Sequence, residues 1–143
     1  MVNNLQPNKT HLSQITNNQS LIKKMVKTHK DLDVWKQSID FVTEIYRITE
    51  GFPKSELYGL TSQIRRAAIS IPSNIAEGAT RNHKTEFRLF LFVSLSSAAE
   101  IETQLIISGK LNYLEPKVQE DLIQILNSIS RMLQGLIKSI STK

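Results

Sequence analysis

Between residues 65 and 88 the chain places Arg65, Arg66, Arg81, Lys84 and Arg88 against only two acids, Glu77 and Glu86. Lysine and arginine at this density neutralise phosphates and release their condensed counterions, so these five are the candidate nucleic-acid contacts. Arg65 and Arg66 cannot share a helix face, because adjacent positions diverge by about 100°. One of them is expected to pair internally while the other reaches a partner.

Other chemistries are poorly supplied. The chain has no cysteine, which removes disulfides, thiolate nucleophiles and thiolate metal sites together. No glutamate has a histidine three residues later, as an inward-facing carboxylate di-iron site would require. His11, His29 and His83 fit no arginine-to-histidine spacing of helical ribonucleases, and no Ser, His and Asp set or glycine-rich phosphate loop is present. The expectation is a protein that is not an enzyme, with no metal, no cofactor and no small-molecule substrate.

The elements that must carry these residues read as helices. Leu57, Leu60, Ile64, Ala67, Ala68, Ile71, Ile75 and Ala79 recur at three-and-four spacing, and Pro72 sits inside that pattern. A proline there removes one helical hydrogen bond and crowds the preceding turn, so a kinked second helix is expected from about residues 55–61 to Gly78. Asn74 is expected to take up the carbonyl that proline leaves free. Glu77 stands four residues before Arg81, in the favourable orientation for an ion pair.

A first helix is predicted from Asp31–Asp33 to about Glu50, with Gly51 and Pro53 beyond it. Its apolar residues form two lines, Val34-Phe41-Ile45 and Trp35-Ile39-Val42-Tyr46, wider than the roughly 100° face that one bundle can cover. A third helix is predicted over His83–Ser108, capped by Asn82 and closed by Gly109, with small residues from Ser94 to Ala99 that permit close approach. Pro116 opens a fourth, whose stripe is Val118, Leu122, Ile125, Ile129, Met132, Leu133, Leu136, Ile137 and Ile140. Four long helices with short turns predict an all-α, up-down-up-down antiparallel four-helix bundle.

Residues 30–143 are assigned to this bundle and residues 1–29 to a flexible, basic, polar tail, with Met25 as an alternative start. Residues 1–30 carry five lysines and no acid, whereas the other 113 residues balance thirteen cations with thirteen acids. The stretch from Glu100 to Asp121 is net acidic, so the folded body is polarised. No apolar run approaches the roughly 20 residues of a membrane span, and no signal peptide is evident, so a cytoplasmic protein without membrane contact is expected.

Several short motifs in order also resemble a known family. They are Asp31-Leu32 with Val34-Trp35, Phe52-Pro53 with Glu56, Tyr58-Gly59-Leu60, Gln63 to Ala68, Ser70-Ile71, Asn74-Ile75-Ala76-Glu77-Gly78, and Glu100 with Glu102 and Leu105. Over about residues 29–140 they resemble the bacterial four-helix-bundle proteins encoded in intervening sequences of 23S ribosomal RNA genes. The accessory variability determinant proteins of diversity-generating retroelements look like relatives. The family often has Ala-x-Gly-Ser where this chain has Ser94-Leu95-Ser96-Ser97, which keeps the position small.

The resemblance implies a homopentameric barrel, and it marks Pro72, Asn74, Glu77, Gly78 and Glu100 as structural motif residues. Val34, Trp35, Phe41 and Ile45 are the expected oligomer contacts. It also implies binding of RNA or an RNA/DNA hybrid as an accessory protein. The alternative is a scaffold that docks a partner such as a reverse transcriptase without touching nucleic acid.

Overall fold

The buried residues of the first helix are Val34, Ser38, Phe41, Ile45 and Thr49, one stripe at three-and-four spacing along α1 (Asp33–Thr49). A computed structural model of the chain describes residues 28–140, together with Ser13. The tail assigned to residues 1–29 therefore lies mostly outside the described residues. Its last two residues do not: Thr28 N–H donates to the Asp31 carboxylate at 3.0 Å, and the His29 ring meets Trp35 edge-on at 5.3 Å. Asp31 thus caps a short 3-10 turn, His29–Asp31, and α1 itself starts behind Leu32 without a side-chain cap.

A second 3-10 turn, Lys54–Glu56, follows Pro53 and sets up α2 (Leu60–Thr80). The Glu56 carboxylate accepts the Leu60 N–H at 2.8 Å, satisfying one free amide of the helix start. The helix runs without interruption through Pro72, which is buried, and continues two residues past Gly78. Pro72 leaves the Ala68 carbonyl without its usual donor. Asn74 does not fill that gap: its amide donates to the Ser70 carbonyl at 2.7 Å and contacts the Ser70 hydroxyl at 2.9 Å.

Helix α3 (Lys84–Lys110) is held against α2 by small polar groups. Ser94 Oγ donates to the Ile71 carbonyl at 2.9 Å, and Ser97 Oγ shares a hydrogen bond with Ser70 Oγ at 2.8 Å. His83, not Asn82, stands at the cap position, with no side-chain cap bond. Gly109 does not close this helix. The reversal falls at Asn112, whose φ of 59° is the left-handed conformation that asparagine tolerates. Gly109 instead lies within the helix, where the tip of the Gln119 side chain rests against it at the place a Cβ would take.

Pro116 is at the first turn of α4 (Pro116–Ser139), as read from the sequence. Its core residues are Leu122, Leu126, Ile129, Leu133 and Ile137. Leu126 takes the core position expected for Ile125, which is exposed. Among the described residues there are four α-helices and no strand, and one apolar core joins all four. By length and composition α3 is apolar enough to cross a membrane, although it carries Glu86, Arg88, Glu100 and Glu102. In the fold it packs on α2 and α4 and buries Ser94, Ser97, Gln104 and Ser108.

Two glycines give opposite expectations. A Cβ on Gly78 would stand 2.6 Å from Phe90 Cβ, so Gly78→Ala is expected to destabilise the fold by about 1–3 kcal/mol through overpacking. Nothing lies within 4 Å of a Cβ on Gly135 in mid-helix, so Gly135→Ala is expected to stabilise by about 0.5–1 kcal/mol. Urea denaturation of the two variants beside the parent checks both signs.

Candidate nucleic-acid interface

Continuous helix separates the five sequence-predicted cations into two groups. Arg81, just past the end of α2, stands sixteen positions beyond Arg65, about 24 Å at 1.5 Å per residue. Arg65 and Arg66 therefore sit near the start of α2, and Arg81, Lys84 and Arg88 near its end and the start of α3. One compact five-residue patch is not formed.

Two of the five are engaged in holding helix ends. Arg65 Nε donates to Thr49 Oγ1 at 2.8 Å, its Nη2 donates to the Tyr46 carbonyl at 3.3 Å, and the guanidinium stands 4.5 Å over the Tyr46 ring. Arg88 Nη1 donates to the carbonyls of Ile140 at 3.0 Å and Ile137 at 3.4 Å, at the last turn of α4. A cation suits a helix C-terminus, where unpaired carbonyls and the helix dipole both present negative potential. Of the adjacent pair, Arg65 is the internal partner and Arg66 is exposed, as the diverging faces required.

Arg81, Lys84 and Arg66 remain available. Arg81 pairs with Glu77 at 3.4 Å and lies 5.4 Å over the Phe90 ring, with about half its side chain exposed. Lys84 is exposed and, among the described residues, unpaired. The end of the bundle carrying Arg81 and Lys84 also receives the start of α1, because Trp35 shares a groove with Ala76. It receives the end of α4 as well, through Arg88. Lys30, Lys36 and Lys138 therefore join Arg81, Lys84 and Arg88 there, opposed by Asp31, Asp33, Glu77 and Glu86. Lys30 and Lys138 could not be grouped with this set from a linear charge count, since 108 positions separate them.

The ion pairs with shifted titration lie elsewhere. Hydrogen bonding to Arg47 holds the Glu44 carboxyl below its ordinary range on α1, and Asp121 raises Lys117 on α4. Both are surface pairs of small energetic weight.

The motif residues have identifiable packing roles. Gly78 lets Phe87 and Phe90 close onto α2; Arg81 covers Phe90; Glu77 steadies Arg81. Asn74 ties back to Ser70 across Pro72. Glu100 is exposed and accepts from Gln104 Nε2 at 3.2 Å, while Gln104 Oε1 is buried with no donor among the described residues.

The expected oligomer contacts require correction. Val34, Phe41 and Ile45 are buried in the core of the single chain and present no surface to a neighbour. The second line of α1 is the outward one. Trp35, Ile39 and Val42 line an apolar groove of about 410 Å³ with Ile69, Pro72 and Ala76 of α2. Sequence reasoning missed Ile69 and the outward residues Leu89 and Ile106 of α3, all exposed and apolar. Among the described residues, no group of three His, Asp or Glu is placed to hold a metal ion.

Residues 30–135 match the model of the 23S rRNA-intervening sequence protein family. The chain belongs to that family. No curated protein matches it. Among solved structures it is similar to a crystal structure of a protein of unknown function, from the S23 ribosomal protein family of Bacteroides thetaiotaomicron. That likeness has a TM-score of 0.69 at 24% identity, covering 73% of this chain and 95% of the other. It extends the all-helical architecture to a second sequence and speaks to fold alone.

The divided roles of the arginines can be checked by stability. Arg88→Ala removes charge-assisted bonds to two carbonyls and is expected to cost about 1.5–3 kcal/mol. Arg66→Ala breaks no hydrogen bond or ion pair described for the fold and is expected to stay within about 0.5 kcal/mol of the parent. Chemical denaturation measures both.

Proposed function

We propose that this member of the 23S rRNA-intervening sequence family is a non-enzymatic, cytoplasmic accessory protein that binds RNA or an RNA/DNA hybrid as a homo-oligomer. The observation that carries the reading is the gathering of Arg81, Lys84, Lys30 and Lys138 at one end of the bundle. The lysine-rich tail joins the body at that same end. Phosphates held there would meet exposed, solvated cations, and the net-acidic stretch from Glu100 to Asp121 begins in mid-helix and continues toward the opposite end. Arg65 and Arg88 contribute to this reading as structural cations, and Arg66 as a peripheral one.

The resemblance to pentameric relatives makes five the proposed subunit number, with an up-down-up-down path in each subunit. Contacts of Arg88 with the end of α4, and of Arg65 with the end of α1, favour that path. A second reading is favoured by the apolar groove and the exposed face of α3: a scaffold that docks a protein such as a reverse transcriptase, as the retroelement proteins it resembles do.

Binding of a structured RNA and of an RNA/DNA hybrid, followed by fluorescence anisotropy across a salt series, tests the first reading. Affinity is expected to fall steeply with salt, and Arg81→Gln with Lys84→Gln to flatten the slope of log K against log salt by about 1 for each phosphate that is no longer neutralised. Binding absent at low salt, or a slope unchanged in the double variant, would count against it and leave the scaffold.

A further inference from the structure

The groove between α1 and α2 is apolar and open: Trp35, Ile39, Val42, Ile69, Pro72 and Ala76 line it, and Ile39 and Ile69 are 38% and 40% exposed. It follows α1 from Trp35 to Val42 and α2 from Ala76 back to Ile69, a length of about 10 Å on either helix at 1.5 Å per residue. The chain enters the fold at one end of it. The 3-10 turn His29–Asp31 packs against both α1 and α2, the His29 ring meets Trp35 edge-on, and the Asp31 carboxylate accepts the Thr28 N–H. Thr28 is thereby held at the Trp35 end of the groove.

The residues directly before it, 21–27, lie outside the described residues, and their sequence is amphipathic. At helical spacing Leu21, Ile22, Met25 and Val26 fall on one face, and Lys23, Lys24 and Lys27 fall on the opposite one. As a helix the stretch from Leu21 to Thr28 is also about 10 Å long, which matches the groove. So short a helix is marginal in water and needs a surface on which to bury its apolar side.

We propose that residues 21–27 turn back from Thr28 and seat their apolar face in the α1/α2 groove of the same chain. The point of entry sets the register, with Met25 and Val26 toward Trp35 and Ala76, and Leu21 and Ile22 toward Val42 and Ile69. The occupant is this segment because it is tethered at the mouth of the groove. A tethered contact is intramolecular, and a separate molecule must exceed its effective concentration to displace it. Seated this way, Lys23, Lys24 and Lys27 face outward and carry the basic end of the bundle along the groove.

Trp35 is the only tryptophan of the chain and lines the groove, so its fluorescence reports whether the groove is covered. The full-length parent is compared with Ile22→Glu/Met25→Glu, which puts charge on the apolar face, and with Lys24→Gln on the opposite face. The double variant is expected to shift the emission to longer wavelength and to raise quenching by acrylamide, while Lys24→Gln changes neither. Because the chain has no native cysteine, Ile22→Cys/Ile69→Cys is also treated with a short bismaleimide. A product of single-chain mass containing a linked 22–69 peptide is expected. Circular dichroism confirms that each variant is folded. Unchanged emission and quenching in Ile22→Glu/Met25→Glu, or no cross-link within the chain, would overturn the seat. Cross-links found only between chains would overturn it in favour of a neighbour's tail. Nucleic acid is absent from both measurements, so failure here leaves the RNA-binding proposal to its own test.

Discussion

The distance between α2 and α3 is set by side chains too small to hold the helices apart. Ser70 meets Ser97, Ser94 reaches the Ile71 carbonyl, and Gly78 admits Phe90. Each contact fails if a bulkier residue intervenes, and each serine also satisfies its own hydroxyl in the process. Pro72 lies within this contact zone. Its cost of about 3 kcal/mol in a free helix falls on a segment fastened from α3 on one side and by Asn74 within α2, so the helix persists through it. The remaining helices pack on this pair, with Leu91, Ile101 and Leu105 of α3 facing the stripes of α1 and α4 across one core.

The helices themselves were legible in the sequence because their apolar spacing is regular and Pro116 marks a start. Other features were less legible, each for a physical reason. Between Leu122 and Ile129, both Ile125 and Leu126 satisfy a 3.6-residue period, and only the direction of the neighbouring helices selects Leu126. The two apolar lines of α1 showed that it has two faces to cover, but periodicity does not say which face turns inward. Val34, Phe41 and Ile45 proved to be the inward line. Glycine is the usual reversal after a helix, yet Gly109 lies inside the helix, which runs on to Lys110, and the reversal falls to Asn112.

The basic cluster was the least legible part, since a linear count treats charges near in sequence as near in space. Helix geometry sends Arg65 and Arg81 to different ends, and tertiary contact recruits Arg65 and Arg88 as caps for carbonyls and a hydroxyl that lie 16 to 52 residues away in the chain. Lys30 and Lys138 join the set only once α1 and α4 are seen to start and finish there.

Those two arginines also determine how the molecule opens. The last turn of an isolated helix frays readily, because its carbonyls have only water to bond. In this fold the last turn of α1 is tied by Arg65 of α2, and that of α4 by Arg88 of α3. Unravelling of either terminus must also release a guanidinium from the adjacent helix, so end-fraying is converted into a two-helix event. Amide protons in those final turns then exchange with the larger cooperative unit rather than one by one from the tip.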